Sequence, residues 1–508
     1  MKQCNIIEGN SGVLELVGAD GIIEIYRPDC DLDKAKDLLY KFYQSKTSNA
    51  SIIKESYYIN ELNWFPTSIG MLYWHYFYQI VKYKPIIDKV ISGEIEVLEC
   101  SPGRFKKIME LVHWYPQHSL IQKLIKRIYH FIIQTRNFII TKKSGDILLF
   151  QYKPEDFRTS QIYDALKTKF SVVKLCNVPL KDIWRYFFDT SVYIYVEPYA
   201  NSYSNIELAD DSDFVFNGAI KYTSWIINKN LTSYHSHARL FKHMDYSLLI
   251  GLDDTTIVYP LLYALSDKSI HSLGIQHGAY VSRHEDYIMN GGIKDYKWFD
   301  NVIVWGDYWK RLILKHSNLF DDSYHIVASN KHSYNYKLTD TLNERKVVLI
   351  PHEFLADTIA VGEYIRKFID QGFDVHFKVR PGTNDEIDDQ LHAYFLGDYH
   401  EKITIIEEIT SDQMSCVGVI AGTSTTLLFD LLPFQKPIFL LDTPLKFIMD
   451  MADDGFARLI SMSDMESIND IYNKEVKDSH NDDFSDIFGS EPIDNVIFNY
   501  IQSIEGPK

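Results

Sequence analysis

The 508-residue chain lacks a disulfide framework, a membrane-spanning run, a tandem repeat and an excess of positive charge. Its five cysteines, Cys4, Cys30, Cys100, Cys176 and Cys416, form no CxxC pair and are odd in number. That argues against a disulfide-stapled or zinc-ribbon scaffold and suits a reducing compartment. No stretch approaches the roughly 18 uncharged apolar residues needed to span a bilayer. The N-terminus carries no apolar core of signal-peptide length. The expected location is therefore the cytoplasm, including the inner face of the membrane. With 52 basic against 69 acidic residues the net charge is −17. A nucleic-acid partner is not expected, because phosphate backbones are held through a basic footprint. No metal-ligand motif is visible, so neither a metal nor a cofactor is expected.

What the chain does contain is a recurring strand, loop and helix. Short apolar runs at 147–150, 172–175, 193–196, 247–250, 273–275 and 302–304 form one series. Runs at 347–350, 375–379, 403–406, 417–420 and 438–441 form a second. Runs without polar alternation suit strands covered on both faces, hence parallel sheets between helices. The expected fold class is α/β, with two Rossmann-like, doubly wound domains facing across a cleft and an N-terminal, mainly helical extension. The expected boundaries are 1–92 for the extension, 93–335 for the first Rossmann-like domain and 345–465 for the second. Residues 466–508 are expected to form an acidic loop and a C-terminal helix, and 95–98 to open the first domain. Ligands of such folds bind at the carboxyl ends of the strands.

Charge is unevenly distributed. Between positions 104 and 143, Arg104, Lys106, Lys107, Lys123, Lys126, Arg127, Arg136, Lys142 and Lys143 meet one acid, Glu110. Leu, Ile and Phe lie among these charges, as in an interfacial helix making peripheral membrane contact. The plainer reading is a partly buried helix with a solvated basic face.

Four segments at strand ends carry groups suited to chemistry. Ala421-Gly422-Thr423-Ser424-Thr425-Thr426 follows one strand and precedes an expected helix at 427–432. A glycine and small hydroxyl residues there leave backbone N–H groups for a phosphate, although ordinary helix capping uses the same residues. Asp430, on that helix, can accept from ribose hydroxyls. Gln276 and His277 end the strand before Gly278, and imidazole titrates where proton transfer at neutral pH is efficient. A lone histidine is also commonly structural. Asp253 and Asp254 end a strand of the same unit, with helix capping by Asp254 as the alternative. Lys378 and Arg380 share one strand face and can neutralise phosphate. His352 and Glu353 follow the first strand of the second series, where a donor base or sugar would lie.

Gly422-Thr423-Ser424-Thr425 followed by Asp430 and Lys436-Pro437-Ile438 resembles the donor-site signature of GT-B glycosyltransferases. Gly274-Ile275-Gln276-His277-Gly278, with Trp305-Gly306 after it, resembles the Gln-His-Gly motif of capsule and lipopolysaccharide assembly enzymes. Those include Kdo transferases and, more distantly, CDP-glycerol glycerophosphotransferases. The resemblance covers about 146–460. It implies a metal-independent transfer of a sugar, Kdo or a related acidic sugar, from a nucleotide-linked donor, CMP-linked before the others. The acceptor would be a growing surface polysaccharide or a lipid-linked glycan. His277, Asp253 and Asp254 would be the catalytic groups. Lys378, Arg380, Gly422, Thr423, Ser424, Thr425, Asp430, His352, Glu353 and Gln276 would hold the donor. Three departures stand out: Arg380-Pro381 replaces the common His-Pro, Asp430 replaces Glu and Gln435 replaces Gly. A polyol-phosphate transferase, a nucleotide-sugar 2-epimerase and a non-catalytic assembly protein are the competing expectations.

Overall fold

The computed structural model describes residues 2–8, 13–28, 31–59, 61–103, 105–106, 108–109, 120–140, 144–151, 157–178, 184–185, 187–188, 191–194, 208, 214–253, 255–266, 268, 270–282, 298–317, 320–329, 346–351, 358–379, 396–478 and 484–505. Asp254, His352, Glu353 and Arg380 lie outside the described residues, as does the expected interdomain boundary at 330–344.

The N-terminal region is built on a small mixed sheet. Strand β1 (Lys2–Glu8) pairs antiparallel with β2 (Leu14–Gly18), and β2 pairs with β3 (Gly21–Tyr26). A short hairpin of β4 (Tyr58–Ile59) and β5 (Leu62–Asn63) follows, and β6 (Ile95–Cys100) runs parallel to β1. The sheet order is β3-β2-β1-β6. Strand β6 was expected to open the first Rossmann-like unit; it instead completes this separate sheet. An apolar run specifies a strand but not its partner. Cys4, Ile6, Leu14 and Leu16 are buried at every second position, the period of a sheet with one covered face. The helix Leu32–Gln44 buries Leu32, Ala35, Leu39, Phe42 and Tyr43, one helical stripe. Its start is fixed by Asp31, whose carboxylate accepts from Lys34 N at 3.0 Å. Residues 1–92 thus contribute helices and three of this sheet's four strands.

The first series of runs forms a seven-stranded parallel sheet. Its strands are β7 (Ser144–Gln151), β8 (Val172–Asn177), β9 (Val192–Ile194), β10 (Asp245–Leu252), β11 (His271–Ile275), β12 (Asn301–Val304) and β13 (His325–Val327). The order is β13-β12-β11-β10-β7-β8-β9. Ile147, Leu149, Leu248, Ile250 and Leu273 face a layer that includes Ile493, Ile497 and Ile501 of the terminal helix Ile493–Glu505. Leu148, Leu249, Val302 and Val304 share the opposite core with Ile226 and Leu261, from the helices Phe214–Phe241 and Thr255–Ser266. Apolar cover on both faces is why these strands show no polar alternation.

The second series forms a six-stranded parallel sheet of β14 (Val347–Pro351), β15 (Asp374–Lys378), β16 (Ile403–Ile406), β17 (Val419–Gly422), β18 (Ile438–Leu441) and β19 (Arg458–Ile460). Its order is β16-β15-β14-β17-β18-β19. The expected class is therefore what the chain adopts: two Rossmann-like parallel sheets in tandem. The acidic segment expected as a loop from 466 is largely helical. Ile468, Ile471 and Tyr472, spaced i, i+3, i+4 on the helix Ile468–Asp478, are buried against the second sheet's core.

The chain then returns to the first unit. Ser329 N donates to Glu491 O at 2.6 Å, and Trp309 Nε1 donates to Ile487 O at 2.9 Å. Gly489 makes the crossing possible: its φ is +61°, and a Cβ there would lie 2.9 Å from the Ala328 backbone. Gly489→Ala combines left-handed strain with that overlap and is expected to lower stability by roughly 1–3 kcal/mol. Chemical denaturation measures it; an unchanged midpoint would contradict this account of the crossing.

Candidate functional site

The register of two neighbouring strands builds the first half of the site. Leu252, the last residue of β10, pairs with Ile275, the last of β11. The next residues therefore leave the sheet side by side at its carboxyl edge. Asp253 N donates to Ile275 O at 3.0 Å, and Asp253 Oδ1 accepts from His277 N at 3.0 Å. The same oxygen lies 2.7 Å from His277 Nδ1. The Tyr280 hydroxyl donates to Asp253 Oδ2. Asp253 is 1% exposed, whereas the His277 side chain keeps 27% of its surface in solvent. These donors replace the water that burial removes from the carboxylate. Burial, and after it the charge of Asp253, push the Tyr280 phenol well above its usual range, so it remains a donor. With Nδ1 on the carboxylate, a neutral His277 ring carries its proton there, and Nε2 is the nitrogen that accepts one.

Gln276, expected on the donor side, is 2% exposed and braces the loop. Its Nε2 donates to Gly278 O at 2.8 Å, and its Oε1 accepts from Trp305 N at 2.9 Å. Trp305 Nε1 also donates to Gln276 O at 2.9 Å. The Gln-His-Gly and Trp-Gly motifs are thus two sides of one hydrogen-bonded brace. A Cβ at Gly306 would strike Asp486 O at 2.1 Å, so that glycine admits the returning C-terminal segment.

The second half of the site follows β17. Thr423, Ser424 and Thr425 are 3%, 2% and 0% exposed. Among the described residues, no acceptor takes the backbone N–H groups of Thr423, Ser424, Thr425 or Thr426. Consecutive buried amides without acceptors are rare and mark a place for an anion. The Thr425 hydroxyl accepts from Leu427 N at 3.2 Å. The helix that follows is Leu427–Asp430, only four residues, and Leu432–Phe434 continues as 3-10 helix. The expected helix at 427–432 is shorter than sequence suggested, and its dipole correspondingly weaker. Asp430 is its half-buried last residue. Gly422 serves packing: a Cβ there would meet Leu428 Cδ2 at 2.9 Å. At Gly278 a Cβ would lie 3.6 Å from Thr426 Oγ1, an ordinary contact, so nothing among the described residues demands glycine there.

The two halves touch. Ala279 N donates to Thr426 Oγ1 at 3.2 Å, Ser282 N to Asp450 Oδ2 at 2.8 Å, and the Tyr308 hydroxyl to Asp454 Oδ2 at 3.0 Å. Trp309 meets Phe429 with ring centroids 4.8 Å apart. The structure therefore brings together Asp253, His277 and the turn through Thr423, Ser424 and Thr425. Lys378 ends β15, two strands from β17 and so about 10 Å away at the backbone. Its Nζ donates to Val379 O at 2.7 Å. Sequence reasoning did not single out Tyr280 or Asp450, and it named Thr426 only as part of the 421–426 segment; the partners of all three are distant in the chain.

No protein-family model matches this chain, and no curated protein does. Among solved structures it is similar to Acinetobacter baumannii MurG at 13% identity and a TM-score of 0.44, over 71% of this chain and 100% of that one. It is similar to S. aureus MnaA, in a UDP co-structure, at 12% identity and a TM-score of 0.44, over 71% and 96%. For the wall teichoic acid polymerase TagF the values are 9% and 0.36, over 79% and 96%.

Gln435, where glycine is the commoner residue of the resembling pattern, has φ +54°. Gln435→Gly is expected to stabilise the fold by about 0.5–1 kcal/mol. Gly422→Ala is expected to destabilise it by roughly 1–3 kcal/mol through overpacking against Leu428. Equilibrium denaturation of both variants reads the two signs; the reverse order would contradict the assignment of strain.

Proposed function

We propose that this chain is a GT-B-type glycosyltransferase that moves a sugar from a nucleotide-activated donor to a surface polysaccharide or lipid-linked glycan. The observation that carries the reading is the Asp253–His277 pair at one sheet's carboxyl edge. It lies one hydrogen-bonded contact from the buried, acceptor-less amides at the other. One side suits an incoming alcohol, the other a departing phosphate.

In this reading His277 Nε2 takes the proton of an acceptor hydroxyl as that oxygen bonds to the donor's anomeric carbon. The bond from that carbon to the phosphate oxygen breaks, and the nucleotide leaves with the electron pair. Amides of Thr423, Ser424 and Thr425 receive the developing charge, as preorganised donors do in a water-poor site. Lys378, at the end of a strand two positions from β17, and Arg380 are assigned to add positive charge. Asp430 is assigned to the ribose, and His352 with Glu353 to the base or sugar. Asp253 acts as a positioning residue: it orients the imidazole and stabilises the imidazolium. Its burial and its engaged oxygens argue against its serving as a nucleophile. Asp254 is the alternative carboxylate. Direct displacement on these parts inverts the anomeric centre. A CMP-linked acidic sugar such as Kdo is the donor favoured by the sequence motifs.

His277→Ala is expected to lower turnover by roughly 10²–10⁴-fold while donor affinity stays within a few-fold. Asp253→Asn is expected to lose most of the same activity by upsetting the tautomer. Steady-state rates with calorimetric donor binding check both. Turnover retained in His277→Ala removes the base assignment, and product formed from donor alone would favour epimerisation.

A further inference from the structure

The helix Leu120–Ile140 has one face locked onto the first unit. Tyr129, Ile133, Arg136 and Asn137 are buried there. Arg136 Nε donates to Phe187 O at 3.0 Å, and its guanidinium lies 3.7 Å from the Tyr193 ring centroid. Asn137 Nδ2 donates to Tyr193 O at 2.5 Å, and Tyr193 N returns a bond to Asn137 Oδ1 at 3.0 Å. The opposite face exposes large apolar side chains: Ile128, Phe131, Phe138 and Ile139 are 51%, 69%, 69% and 72% exposed. These positions share one helical stripe, opposite Tyr129, Ile133 and Arg136.

A second group of rings is tied to the same helix through its buried face. The Arg136 bond to Phe187 O ties the segment 184–188 to this helix. Trp184 stacks on Phe187 at 5.4 Å, and Phe187 meets Phe188 at 5.3 Å. Trp184 and Phe188 are 69% and 85% exposed. A cavity of about 190 Å³, lined by Ile133, Phe138, Tyr193, Leu240 and Met244, shares Phe138 with this surface. Large exposed apolar side chains on neighbouring elements mark an interaction surface.

Charge identifies the occupant. The chain carries −17 overall, yet residues 104–143 hold, besides the buried Arg136, eight bases and one acid, with Lys123, Lys126 and Arg127 on this helix. Another group of exposed apolar side chains among the described residues, Ile7, Ile25 and Leu98 of the N-terminal sheet, lies on strands that also carry Glu8, Glu24, Glu96 and Glu99. Among the described residues, no helix is long and apolar enough to cross a membrane. We infer that the helix Leu120–Ile140 and the Trp184–Phe188 rings dock on an anionic lipid bilayer. The helix lies in the headgroup plane and its phenylalanines enter the acyl boundary. This surface is distinct from the proposed transfer site, and the inference does not depend on that function.

Co-sedimentation of the full chain with phosphatidylcholine vesicles, with and without phosphatidylglycerol, tests it. Binding is expected only to the anionic vesicles and is expected to weaken as salt rises. Phe131→Glu with Phe138→Glu is expected to weaken it at least about tenfold, whereas Ile22→Glu with Ile25→Glu leaves it unchanged. Trp184→Ser with Phe188→Ser provides an independent loss should the first pair fail to fold. The inference is overturned by absent binding to anionic vesicles, by equal binding without phosphatidylglycerol, or by undiminished binding of the folded variants. A wild-type dimer that becomes monomeric in those variants would also overturn it, because the face would then join two copies.

Discussion

One buried carboxylate sets the geometry at the centre of this molecule. Asp253 sits at the end of a parallel strand among apolar neighbours, where an oxygen without a donor is costly. Its partners all come from the loop after the adjacent strand: the backbone and ring of His277 and the hydroxyl of Tyr280. Satisfying Asp253 therefore fixes that loop. The loop in turn meets the second unit, because Ala279 and Ser282 donate to Thr426 and Asp450. Tyr280 also packs at 6.4 Å against Trp309, which contacts Phe429 of the second unit and bonds to Ile487 of the returning segment. Strand register, loop shape and the contact between units are linked through one side chain.

A second feature follows from the overall charge. A protein with a net charge of −17 repels anions at long range, yet the turn after β17 presents backbone amides that no acceptor takes among the described residues. Backbone amides carry partial positive charge without raising the net charge, and burial strengthens their pull on a ligand. On the transferase reading, the leaving phosphate is received by amides fixed before it arrives. The basic residues between 104 and 143, apart from the buried Arg136, cluster in sequence and are read as part of a lipid-facing surface.

Both Rossmann-like sheets were legible because strands buried on two faces produce continuous apolar runs such as 147–150 and 347–350. The positions of Asp253 and His277 were legible for the same reason: each directly follows such a run. The N-terminal sheet was not. Strands β1 to β3 expose Ile7, Ile22, Ile23 and Ile25, so hydrophobicity there does not separate the two faces. The helix Phe214–Phe241 was also missed, because it buries Thr223, Ser224, Asn230 and Ser233 on its inner side. Thr223 and Ser224 bond back to Ala219 O and Ile220 O, which lets polar residues enter the core. Tyr280 and Asp450 act through partners far away in sequence, and no local spacing signals them. The strain at Gln435 was visible only as a departure from a glycine; its φ supplies the reason.

The most direct measurement is the structure of the protein with the nucleotide-linked sugar that stabilises it most against heat. The account predicts phosphate oxygens within hydrogen-bonding distance of the Thr423, Ser424 and Thr425 amides, with the anomeric carbon turned toward His277 Nε2. A nucleotide bound elsewhere, or a sugar lying beyond reach of that imidazole, would contradict it.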